Sequence, residues 1–147
     1  MNTPADIVTD SQKLVSIFGY WPSFHDAEVW TLTHERTTNG FDIVMVIHLF
    51  EMTREVTDTG HYRLVKHTRA IIRFVDCAES RLEYFNHQNV IAGLSIERAP
   101  EGAARELSVS MGSSHGLEGE LLCSSIVVCD AHPWTPPFGV YAPKTNN

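Results

Sequence analysis

Apolar and polar positions along the chain change their period once. Leu14, Ile17 and Phe18 recur at helical spacing, with Asp10 or Ser11 placed to cap the segment and Gly19 placed for a left-handed stop. The pattern predicts one short helix of about two turns. Tyr20-Trp21-Pro22-Ser23-Phe24 comes next, and its proline holds Trp21 extended, which makes this stretch a rigid aromatic connection. From about Ala27 onward the period is two, the mark of strands.

Residues 28–34 and 41–51 read as strands joined by Thr37-Thr38-Asn39-Gly40, whose Asn-Gly pair signals a tight hairpin turn. Phe41, Ile43, Met45, Ile47 and Leu49 share one face of the second strand, and Asp42, Val44, Val46, His48 and Phe50 share the other. A strand apolar on most of both faces belongs in the middle of a sheet. Residues 62–75 place Leu64, Ala70, Ile72 and Phe74 together while Arg63, His67, Arg69 and Arg73 point away. Shorter strands are expected at 81–85, 90–97 and 106–111, with Pro100-Glu101-Gly102 turning the chain, and a last one at 117–130 carries Leu121, Cys123, Val127 and Cys129 on one parity. The connections are hairpin-sized and no helix separates the strands. This predicts a mainly β (α+β) fold, an antiparallel curved sheet or a sandwich of about seven strands with one short N-terminal helix.

A length of 147 residues suffices for one hydrophobic core and is short for two. A single domain over 1–147 is expected, with a core over about 10–132 and a proline-rich surface tail over 133–147. Eleven Lys and Arg against 18 Asp and Glu give a net charge of −7, so direct binding of nucleic acid would work against the protein's own field. No apolar run approaches the roughly 18 to 20 residues of a membrane-spanning helix, and the N-terminus lacks a basic head followed by an apolar stretch. A cytoplasmic chain without a membrane partner is expected. The odd set Cys77, Cys123 and Cys129 fits reduced, mostly buried thiols.

His25-Asp26-Ala27-Glu28 is the densest polar cluster. Its carboxylates could hold a divalent cation or act as an acid/base pair, or Asp26 could accept hydrogen bonds from backbone amides and fix the turn into the first strand. Cys123, Cys129 and His132, with His115 nearby, are zinc-type ligands without the paired spacing a structural zinc site uses. Their strand parity makes the two cysteines small buried thiols. No phosphate-binding glycine loop, dinucleotide motif or nucleophile elbow occurs, and no cofactor is expected. The eight histidines are scattered and read as surface or strand-packed residues.

The run Gly19-Tyr20-Trp21-Pro22-Ser23-Phe24-His25-Asp26-Ala27-Glu28-Val29 resembles the phrase of the immunity protein 50 family of bacterial polymorphic toxin systems. The likeness extends to the layout: a helix, this phrase, a hairpin, an Arg73-Phe74 strand end, a Phe85-Asn86-x-Gln88-Asn89-Val90 phrase and a late Cys-containing strand. It implies a non-catalytic cytosolic protein, encoded beside a toxin, that binds and neutralises that toxin protein. No catalytic residue is carried over. Trp21, Pro22, Phe24, His25, Asp26 and Glu28 are transferred as positions of the family phrase, with a structural role.

The acidic balance suits that role, because an acidic protein steers toward a basic active-site surface. Glu51, Glu55, Asp58, Glu118 and Glu120 lie at strand ends or on wet faces and are candidates for meeting the partner. A strand edge at 106–111 offers a way for two copies to pair as a homodimer. Two other readings stand beside this one: a non-catalytic β interaction domain of another complex, and a metal-dependent hydrolase built on His25, Asp26 and Glu28.

Overall fold

A computed structural model describes residues 3–137. They form two short helices, α1 (Pro4–Ile7) and α2 (Gln12–Phe18), and eight strands. The strands are β1 (Glu28–Arg36), β2 (Phe41–Val56), β3 (Tyr62–Cys77), β4 (Glu79–Glu83), β5 (Val90–Arg98), β6 (Leu107–His115), β7 (Glu118–Cys123) and β8 (Ser125–Pro133). All pair antiparallel in one open sheet of order β4-β7-β6-β5-β1-β2-β3-β8.

Helix α2 lies where the spacing places it, buries Leu14 and Phe18, and ends at Gly19 with φ 88°. Its Ser11 cap residue turns its hydroxyl elsewhere, donating to the Ala5 carbonyl at 2.7 Å. Helix α1 is additional. Its Thr3-Pro4-Ala5-Asp6 start is a capping box with proline at the first helical position, and the Thr3 hydroxyl donates to the Asp6 carboxylate at 2.9 Å.

The expected strand at 117–130 is two strands, because the chain bends at Ser124. At the facing position Asp76 takes φ 54°, and its carboxylate accepts from the Ser124 hydroxyl at 2.7 Å and from Arg105. Arg105 also donates from Nε to the Asp76 carbonyl at 2.9 Å, and the Asp76 amide donates to Asp42 at 2.9 Å. The Ser124 bond, with help from Arg105, holds the Asp76 carboxyl below its ordinary value. Gly40 packs against this corner, where a Cβ would collide with the Cys77 carbonyl.

The bend changes which residues face inward: Leu121 and Cys123 are buried on β7, but Ile126 and Val128 are buried on β8. Cys129, expected inside, is exposed, because the flip at Ser124 puts it on the parity opposite Ile126 and Val128; it is also the extra residue of a bulge that separates the pairs Ile71↔Asp130 and Ile72↔Val128. A second bulge, at Lys66 with φ 57°, flips Leu64 to the face opposite Ala70, Ile72 and Phe74. The stretch 106–111 is no edge: β6 lies between β5 and β7.

Strand β4 prolongs β3 and strand β8 prolongs β7, so the two end strands of the sheet are extensions of interior ones. β4 pairs with β7 while β8 pairs with β3, and the sheet therefore curls around one core. That core draws Ile43, Met45, Ile47, Ile72 and Phe74 from one half and Ile91, Val109, Met111 and Leu121 from the other. β2 and β3 outrun their neighbours, since β1 pairs only with 41–48 and β8 only with 68–75. Residues 51–66 thus project as a two-stranded arm, tied at its base by the Tyr20 hydroxyl donating to Glu51 at 2.7 Å and Lys66 donating to the Phe18 carbonyl at 3.3 Å.

Candidate functional site

The aromatic phrase forms the hinge between the two halves of the sheet. β1 and β5 pair directly at Glu28↔Val90 and are otherwise stitched by backbone bonds around the start of each strand. The Asp26 amide donates to the Ile91 carbonyl at 3.0 Å, the Ile91 amide to Ala27 at 2.9 Å and the Val29 amide to Asn89 at 2.8 Å. Phe24 and Ala27 are buried, Pro22 is buried, and half-buried Trp21 tilts against Phe24 with ring centroids 5.5 Å apart. Phe24 and Asp26 both take φ 62°, so the chain turns twice within three residues.

The Asp26 carboxylate does not fix this turn in the expected way. Among the described residues no backbone amide donates to it; it lies 3.5 Å from His25 Nε2, and the main chain supplies the stitching. His25 is exposed, with Nδ1 3.1 Å from the Ala92 carbonyl. Glu28 is half-buried, and burial raises its carboxyl above the usual value. Among the described residues, no three His, Cys, Asp or Glu side chains are grouped to hold a metal ion. Cys77 and Cys123 are buried, which pushes their thiols up to about 11 and about 12, whereas exposed Cys129 is on neither's side of the sheet.

The five carboxylates considered for partner contact fall into two places. Glu51, Glu55 and Asp58 belong to the arm, where Glu51 meets Lys66 at 3.4 Å and Glu55 meets Arg63 at 3.7 Å. Glu118 and Glu120 stand on β7 opposite Glu83 and Arg81 of β4. Three strands separate the two groups in the sheet order.

A cluster the chain pattern did not reveal covers the outer face of β2 and β3. His48 Nε2 and His67 Nδ1 are 2.9 Å apart with rings stacked at 5.1 Å, and Trp134 meets both His48 and Trp30 edge-on. His48 is fully buried, and that burial, with His67 beside it, lowers it to about 4. Burial lowers His67 as well. The hairpin register Leu49↔Thr68 brings the two rings together, a relation visible only once the bulge at Lys66 is known. Trp134, expected on the surface, is half-buried, and its amide donates to the His67 carbonyl at 2.9 Å; residues 138–147 of the expected tail lie outside the described residues.

The family model described as Immunity protein 50 matches residues 10–134. No curated protein and no solved structure gives a match.

Proposed function

The chain belongs to the immunity protein 50 family, and from that membership we propose that it binds and neutralises a cognate bacterial toxin domain, without catalysis of its own. The observation that carries the reading is the extent of the match, from the cap of α2 past the end of β8, which takes in the whole sheet and the hinge phrase. Neutralisation by binding needs a rigid scaffold with an accessible surface, and one curled sheet on a shared core supplies the scaffold. The net charge of −7 supports a basic partner, because opposite fields accelerate encounter and hold register. The setting proposed is the bacterial cytoplasm, beside a toxin of a polymorphic toxin system, with neither nucleic acid nor membrane as direct partner. Among the described residues no helix is long and apolar enough to cross a membrane.

Co-expression with the toxin encoded next to this gene tests the role. Cells making both proteins are expected to survive, the two are expected to co-purify in a fixed ratio, and association is expected to slow as salt rises, screening lengths being about 8 to 10 Å near physiological ionic strength. Death of the co-expressing cells with no complex recovered would remove the neutralising role.

A further inference from the structure

β4 is a strand edge of the kind that other chains pair with. Among the described residues Glu79–Glu83 pair with β7 alone, so alternate residues of β4 direct their N–H and C=O groups outward. The segment is five residues long, holds no proline, and carries Glu79, Arg81 and Glu83 at alternate positions, so charge is what admits or rejects a pairing chain. Directly after it stand Tyr84 and Phe85, 67% and 49% exposed, with Tyr84 held at φ 64°. A bulky residue rarely adopts that conformation, and here it turns a large ring into solvent beside the edge.

The outer face of the same ribbon carries Glu79, Glu83, Glu118 and Glu120 against the single cation Arg81. Arg81 lies 3.2 Å from Glu83 and 3.5 Å from Glu120, and among the described residues no cation pairs with Glu79 or Glu118. Glu79, Arg81, Glu120, Ser108 and Leu122 line a shallow depression of about 390 Å3 next to the strand.

We infer that β4 receives an extended, Lys/Arg-bearing segment of the toxin as a ninth strand, with Tyr84 and Phe85 packing on its apolar positions. The inference rests on the neutralising role proposed above. Charge selects the occupant: a basic strand beside β4 meets Glu79 and Glu83, with Glu118 and Glu120 one strand further in and only Arg81 to offset the four, whereas a second copy of this chain meets its own carboxylates. Two β4 strands paired antiparallel in full overlap would set Arg81 against Arg81 and Glu79 against Glu83, and like charges directly opposite destabilise a pair. The arm at 51–66 is the competing surface, with exposed Met52, Val56 and Tyr62 on one face, but its three carboxylates are balanced by three cations, Glu51 pairing with Lys66 and Glu55 with Arg63, so it offers a basic segment no net charge.

The test measures affinity of the full chain for an inactivated form of the adjacent toxin domain, with three variants: Glu79→Lys/Glu83→Lys, Tyr84→Ser/Phe85→Ser, and Met52→Ser/Val56→Ser/Tyr62→Ser. Both β4 variants are expected to raise Kd at least tenfold with unchanged melting, and the arm variant to stay within about twofold of the parent. Amide exchange in residues 79–83 of the unaltered chain, which needs no variant to fold, is expected to slow at least tenfold in the complex. Unchanged affinity in the β4 variants, unprotected β4 amides, or loss confined to the arm variant would overturn the edge assignment while leaving neutralisation standing. A parent chain that binds no such toxin removes both.

Discussion

The two ends of the sheet are finished differently. At the β8 end the chain closes its own edge: Thr9 bridges Val127 in parallel, the Thr9 amide donates to Ile126 at 2.8 Å and the Val128 amide to Thr9 at 3.0 Å, and Lys13 of α2 reaches the Cys129 carbonyl at 3.1 Å. At the β4 end nothing comparable lies over Glu79–Glu83 among the described residues. An unpaired row of backbone groups is a liability in any soluble protein. The N-terminal segment covers one edge, whereas carboxylates and two exposed aromatics border the other, which is the edge proposed above to receive the toxin segment.

The sharpest way to break the contrast is to remove β4. Gly119 pairs with Leu82 at φ 154°, and a Cβ there would overlap the Arg81 carbonyl. Gly119→Val is expected to push β4 off β7 and to cost more than about 4 kcal/mol, read as a large drop in denaturation midpoint. Loss below about 1 kcal/mol would mean that β4 contributes little to the fold.

Opening the covered end comes next. Leu14 is fully buried beneath α2, and Leu14→Ala is expected to cost about 2 to 5 kcal/mol. Amide exchange should accelerate at Thr9 and Val128 before it does at β7. Equal acceleration at both ends would show that α2 serves the core as a whole and does not particularly seal β8.

The smallest effect comes from acid. In the unfolded chain His48 returns to its ordinary value of 6.5, while in the fold burial holds it at about 4. Between those values the unfolded state takes up a proton that the folded state refuses, so stability complete above about pH 6.5 is lost as pH falls toward 4. The loss is expected to reach about 2 kcal/mol by pH 5. His48→Gln should flatten that slope, and the loosening should begin where Trp134 and His67 join β3 to the end of β8. A slope unchanged by the substitution would assign the acid response to other groups.

Much of this architecture is legible from local pattern. The alternation in 41–49 and 70–74 sorts core from surface, Asn39-Gly40 marks the first hairpin, and Gly19 ends α2, because each depends on neighbours in the chain. The corner escapes such reading. Ser124 bends β7 away from β8 through Asp76 and Arg105, residues distant in sequence, and the bulges at Lys66 and Cys129 reverse parity without a glycine to announce them. At the hinge, the packing of Trp21 and Phe24 follows from their apolarity, whereas the stitching belongs to backbone groups that every residue carries and no side chain advertises. The His48 and His67 pair and the interior place of β6 depend on register and strand order, which periodicity leaves open.

The exchange of end strands also governs how the chain assembles. β1-β2-β3 and β5-β6-β7 are two meanders of sequence neighbours, each able to form by local loop closure. Each then lends a strand to the other: the first extends β4 onto β7, and the second extends β8 onto β3. Neither meander is complete alone, so the long-range step that clasps 62–83 to 118–133 is expected to limit refolding more than hairpin formation does, and the two meanders are expected to unfold together.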